Sequence, residues 1–207
     1  MPPLSSSVHG SCRSFPVTQG WETEGIAGIL STVVIKLQRL TTEYDCIEDR
    51  VKISGETRGD GPIVLWLTNR LATRTVPQLL RWLENQAAPI AGSSSTLPAS
   101  PAARRELQNF AQAAAVAELK QREPVVATAG ASSWIVKAID ISATRSRIGM
   151  TFRGDRDQAA SVSFDATALR QWLSILHRAW SAAQWPPLVW PDWVERATAP
   201  PHDVVRH

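Results

Sequence analysis

The sequence predicts an α+β protein: two repeated units of three antiparallel strands followed by a helix, joined by a linker and an Ala-rich helix. Three observations lead there. Short runs of alternating polarity come in groups of three, and a capped amphipathic stretch follows each group. Residues 50–68 also overlay residues 147–165 without a gap.

In chain order, residues 1–28 are rich in Ser, Pro and Gly with no sustained period, which predicts a disordered leader. Trp21 is the one residue there expected to dock. The first unit spans 29–86. Thr32 to Leu40 is β-branched and partly alternating, Arg50 to Ser54 alternates strictly, and Ile63 to Leu67 is a short apolar run, so three strands are expected. Thr68 suits a helix N-cap, since its hydroxyl can accept from a free backbone N–H. Val76, Leu79, Leu80 and Leu83 follow at helical spacing up to about Gln86. Pro77 interrupts that run. Its missing donor predicts a kink, or a restart with Thr75 as cap.

Residues 87–100 read as a linker by composition. Ser100-Pro101 then opens a connecting helix over 101–123, a cap followed by proline at the first helical position. Leu107, Phe110, Ala111 and Ala114 give it a modest apolar stripe, expected to pack on a helix or a sheet, and Pro124 ends it. The second unit spans 124–183, with strands over Trp134 to Ile141, Arg147 to Phe152 and Ala160 to Phe164. Asp165 caps a helix in which Leu169, Trp172, Leu173, Leu176 and Trp180 form one apolar face. Residues 184–207 make a Trp/Pro-rich C-terminal tail.

The overlay pairs Arg50 with Arg147, Val51 with Ile148, Ile53 with Met150, Leu65 with Val162, Leu67 with Phe164, and cap Thr68 with cap Asp165. Further along, Leu79-x-x-Trp82-Leu83 matches Leu169-x-x-Trp172-Leu173, and upstream Lys36 is matched to Lys137. Each unit is expected to hide its sheet's apolar face beneath its own helix.

Composition narrows the function classes. The 207 residues are 43% hydrophobic and 20% charged, enough for a real core. A net charge of +3 is too small to imply a polyanionic partner. The N-terminus lacks a signal peptide's apolar core and no run approaches the ~18 residues of a membrane span, so a cytoplasmic protein is expected. Cys12 and Cys46 define neither a disulfide framework nor a metal site. His9, His177, His202 and His207 have no metal-ligand spacing, and phosphate loops and nucleophile elbows are absent from the sequence. Glu43, Asp45, Glu48 and Asp49 read as the polar edge of a hairpin rather than an acid–base pair. No catalytic residue, metal, cofactor, membrane or small-molecule substrate is therefore indicated.

The expectation is a non-catalytic interaction protein, an adaptor, assembly factor or structural subunit. It would work through sheet edges and the tail, on another protein or on a second copy of itself. Nine tryptophans are the unusual count, and Trp185, Trp190 and Trp193 on the Pro-broken tail are the candidate partner-binding residues. Trp suits binding hot spots because it buries a large area with few rotamers; the competing reading is a strap over the core. The alternative function is nucleic-acid binding through Arg58, Arg70, Arg74, Arg145, Arg147, Arg153 and Arg156, set against a solvated surface with interleaved acids. The two Arg-Gly-Asp triplets, at 58–60 and 153–155, read as hairpin turns rather than adhesion motifs.

Overall fold

The computed structural model describes residues 33–59, 61–86 and 100–198. The leader, the 87–99 linker and the end of the tail lie outside them. The described residues are mixed α and β, with seven strands in one sheet and four helices. The strands are β1 (Ile35–Asp45), β2 (Arg50–Thr57), β3 (Ile63–Leu67), β4 (Ser132–Ile135), β5 (Ala138–Ala143), β6 (Ile148–Arg153) and β7 (Ala159–Phe164). The helices are α1 (Asn69–Gln86), α2 (Pro101–Ala117), α3 (Ala166–Ala182) and α4 (Asp192–Thr198). Among the described residues no helix is long and apolar enough to cross a membrane.

Strand order is β4-β3-β2-β1-β7-β6-β5. β1, β2 and β3 form an antiparallel meander, and so do β5, β6 and β7. The two meet where β1 runs parallel to β7, Ile35 opposite Ala160. At the other side β3 runs parallel to β4, Leu65 opposite Trp134. β4 and β5 stand at opposite ends of this order, yet only Val136 and Lys137 separate them in the chain. Adjacent Cα atoms are 3.8 Å apart, so the sheet must curl until its two ends meet. The backbone makes the join: Val136 N donates to Trp66 O, and Lys137 N donates to Arg153 O.

This splits the single strand expected over 134–141. Its first half pairs with β3 and its second half with β6. Lys36 sits opposite Ser161 on the β1–β7 pair, whereas Lys137 lies at the β4–β5 break, so the two lysines do not take matching places. β1 starts at Ile35 and runs on to Asp45, five residues past the expected end at Leu40, and β2 runs three past Ser54; β3, β6 and β7 fall within a residue of their expected positions.

Helix caps follow the sequence signals. Leu71 N and Ala72 N donate to Thr68 O, and Ala168 N donates to Asp165 Oδ1 at 2.8 Å. Proline's lost donor predicts a kink or restart, but α1 runs unbroken from Asn69 to Gln86, with Pro77 inside it, and does not restart at Thr75. Thr75 instead donates its hydroxyl to Leu71 O within the helix. A proline in a helix costs about 3 kcal/mol. Burial of Val76, Leu79, Leu80 and Leu83 on one face, at about 1.5–3 kcal/mol each, outweighs it.

One apolar core joins all the layers. Val51, Ile53, Leu65, Leu67, Ile148, Met150, Phe152 and Phe164 supply it from the sheet. Leu79, Leu83, Leu169, Trp172, Leu173, Leu176 and Trp180 supply it from the helices. The helices do not cover only their own meander, as the sequence suggests. The Trp82 indole N–H in α1 donates to Thr144 O beside β5, and the Trp172 indole N–H in α3 donates to Thr42 Oγ1 in β1. Once the sheet curls, the first strand of one meander lies nearest the helix of the other.

Candidate functional site

α2 is inverted relative to an ordinary surface helix. Ser100 caps it, its hydroxyl accepting from Ala103 N at 3.1 Å, with Pro101 in the first turn. The helix ends at Ala117 rather than near Arg122. The following chain is tied to β1, where Arg39 donates to Glu123 O and Val125 N donates to Thr41 Oγ1. The buried residues of α2 are Gln108, Gln112 and Ala115. Leu107 is 51% exposed and Phe110 77% exposed. The stripe expected to pack inward thus faces solvent.

The cause is a cation. Arg170 of α3 is buried, 5% exposed, and none of its described partners is a carboxylate. Its guanidinium donates to Gln108 Oε1 and Gln112 Oε1 and lies 5.2 Å from the Trp193 ring centroid. Burial lowers its pKa to about 10, so it stays charged at neutral pH. A buried charge needs polar partners, and the glutamines of α2 provide them. Their own amides donate to Leu83 O and Arg170 O, and Gln171 of α3 donates to Ala115 O. With one side committed to this network, Leu107 and Phe110 are left on the other.

The tail closes over the same region. Trp185, Trp190 and Trp193 are all buried. Trp185 packs edge-on against Trp180 and Tyr44, and Trp190 packs edge-on against Trp180 and His177. Trp180 donates its indole N–H to Trp185 O and Pro186 O. The proline-broken stretch ends at Pro191, whose carbonyl accepts from Val194 N and opens α4. The three rings expected to meet a partner are thus occupied by the body of the protein, as in the strap reading. Leu188 is the exposed apolar residue of the segment.

The seven candidate arginines do not share one surface. Arg147 and Arg153 flank β6 at its two ends, roughly 20 Å apart for a six-residue strand. Arg153 pairs with Asp140, and Arg147 donates to Ser163 Oγ and Ser163 O. Arg70 and Arg74 lie in the first half of α1, Arg145 in the β5–β6 turn, Arg58 after β2, and Arg156 in the β6–β7 turn. A cleft of about 720 Å³ on the sheet does bring Lys36 and Arg147 together with Ser142, Thr144, Thr151 and Ser161.

The Arg-Gly-Asp triplets lie at hairpin connections: Arg58 and Gly59 follow β2, and Arg153 ends β6 with Gly154 and Asp155 in the turn after it; Asp60 lies outside the described residues. Gly59 has φ +100°, a conformation that favours glycine. Gly154 is confined for another reason: a Cβ there would collide with the Trp134 ring and the Gln158 side chain. The acidic group at the β1–β2 turn is internally engaged. Glu43 pairs with Lys52, Glu48 with Arg50, Asp49 accepts from the Tyr44 hydroxyl, and Asp45 accepts from Ile47 N and Glu48 N. Cys46 is a free, exposed thiol in the same turn. Among the described residues no group of His, Cys, Asp or Glu could hold a metal ion.

Sequence reasoning missed Arg170 and the outward face of α2. A signal for the second was present: Ala103, Leu107, Phe110, Ala114 and Ala117 follow alternating steps of four and three, on the side opposite Gln108, Gln112 and Ala115. Comparison with family models, curated proteins and solved structures finds no match for this chain.

Proposed function

We propose that the chain is a non-catalytic interaction protein, an adaptor, assembly factor or structural subunit, whose docking surface is the outward face of α2. The observation that carries this reading is Phe110, 77% exposed beside half-exposed Leu107, on a helix whose buried side is glutamine. Scattered surface apolar residues are ordinary, but an ordered apolar stripe paired with a buried polar face is not. The tail supports the surface from behind, since Trp193 closes over Arg170, which holds Gln108 and Gln112.

We also read the two meander-plus-helix halves as copies of one unit. What supports this is register: Val51 opposes Leu67 and Ile53 opposes Leu65, while Ile148 opposes Phe164 and Met150 opposes Val162, the pairs the overlay of 50–68 on 147–165 requires.

The experiment is a folded Leu107→Ser/Phe110→Ser variant, followed by cross-linking in the native cell and mass spectrometry. Loss of specific associations at unchanged melting temperature is expected. Retention of every association by the folded variant would remove the reading.

Nucleic-acid binding is a second reading, now narrowed to the Lys36–Arg147 cleft with its hydroxyl groups. It requires oligonucleotide binding that weakens steeply with salt and is lost in Lys36→Glu/Arg147→Glu. Salt-insensitive or absent binding would remove it.

A further inference from the structure

Two rows of residues cross the sheet in equivalent register. The first runs Thr41, Ser54, Val64 and Ser133 over β1, β2, β3 and β4. The second runs Asp140, Thr151, Ser161 and Lys36 over β5, β6, β7 and β1. Side chains alternate between the two faces of a strand, and the neighbours Ile53, Leu65, Phe152 and Ala160 belong to the core. Both rows therefore lie on the face turned away from it.

One row is closed and the other is open. In the first, Ser54 is 2% exposed and Val64 5% exposed. The irregular chain after α2 is bonded onto it: Val125 N donates to Thr41 Oγ1, and Val125 is itself buried. In the second row Thr151 and Ser161 are half-buried and Lys36 is exposed. These three border the cleft of about 720 Å³. Among the described residues that line it, the charged ones are Lys36 and Arg147, and none is acidic or aromatic. Of the acids nearby, Asp140 pairs with Arg153 and Asp165 caps α3.

We propose that this cleft binds an acidic, non-helical segment of another protein, laid across the second row as the chain after α2 is laid across the first. The closed row shows what kind of chain such a face accepts. The charge of the open one selects an acidic chain, since two cations without a carboxylate among them complement negative side chains. A nucleic acid is the poorer fit, because single strands stack their bases on aromatic rings and the lining has none. The surface is separate from the outward face of α2, none of whose residues line it.

Fluorescence anisotropy of a labelled peptide of three Glu-Val repeats, titrated with the full chain, is the direct measurement. Saturable binding below ~1 mM is expected, with none for a peptide of three Lys-Val repeats. Lys36→Glu/Arg147→Glu should weaken it at least tenfold. So should Ser161→Tyr, which fills the cleft and leaves both cations in place, each variant keeping its circular dichroism spectrum. Leu107→Ser/Phe110→Ser should leave the peptide's affinity unchanged, which keeps this test independent of the α2 reading. Absence of saturable binding overturns the proposal, and so does binding indifferent to Ser161→Tyr. An oligothymidylate that binds the same cleft more tightly than the Glu-Val peptide assigns it to nucleic acid and overturns the proposal too.

Discussion

Trp172 in α3 donates its indole N–H to the hydroxyl of Thr42 in β1, 3.1 Å away and 130 residues earlier in the chain. Trp82 in α1 makes the matching reach, to Thr144 O beside β5. Each helix is therefore fastened to the first strand of the meander it did not follow. The two halves cannot separate without breaking both bonds and opening the common core. A double-mutant cycle on Trp172→Phe and Thr42→Val should give a coupling of about 1 kcal/mol by urea denaturation. Strict additivity would mean that the bond contributes nothing beyond the packing of the ring.

Arg170 is a buried charge held by neutral acceptors and an aromatic face. Gln108→Leu/Gln112→Leu leaves the guanidinium without side-chain acceptors and should cost about 2–4 kcal/mol. Adding Arg170→Met removes the stranded charge and should recover most of that loss. If the triple variant is no more stable than the double one, Arg170 does not dictate the polar interior of α2.

His177 gives the protein an acid-sensitive point. Its ring is partly buried edge-on against Trp190, with Nδ1 2.7 Å from Thr198 Oγ1. Burial lowers its pKa below the ordinary 6.5, partly offset by Glu195. Below pH 6.5 the unfolded chain takes a proton that the folded chain refuses, so the unfolded state binds more protons and stability falls as pH falls. The loss levels off once pH drops below the folded pKa. Urea midpoints measured from about pH 7.5 to about pH 5 should decline, and His177→Gln should flatten that part of the slope. A slope unchanged in the variant would assign the acid sensitivity to other groups.

Trp185, Trp190 and Trp193 of the tail are buried, and their rings are large. Trp193→Ala removes a buried indole and the aromatic face over Arg170, at an expected cost of about 3–5 kcal/mol. Leu188→Ala, on the same segment but exposed, should change stability by less than about 0.5 kcal/mol. Equal effects from the two would contradict the packing described.

The turn after β6 has no room at Gly154. Gly154→Ala should cost about 1–3 kcal/mol, because the Trp134 ring and Gln158 side chain must move. The conservative Asp155→Asn leaves that geometry alone, and its smaller effect in thermal melts provides the comparison. Two variants of equal stability would show that the ring yields freely.

Much of the architecture was legible in the chain itself. The strand at Ile63–Leu67, the caps Thr68 and Asp165, and the buried faces of α1 and α3 follow from period, β-branching and capping chemistry. The candidate site was not. Leu107 and Phe110 carry an apolar pattern that a helix normally buries, and the glutamines beside them give no hint of an arginine 58 and 62 residues away. The tail indoles could pack inward or outward on sequence alone, and Trp180, His177, Tyr44 and Arg170 supply the surfaces that took them in.

The sequence by itself determined the local elements, because strand alternation, helical spacing and caps depend on neighbours within a few residues. Only the tertiary structure decided that one sheet curls until β4 and β5 join its ends, that each helix reaches the other meander, and which side of α2 meets water. Those outcomes hang on pairings between distant residues, Trp172 with Thr42 and Arg170 with Gln108 and Gln112. No local pattern encodes them, because each partner's preference is satisfied only once the other has been brought alongside.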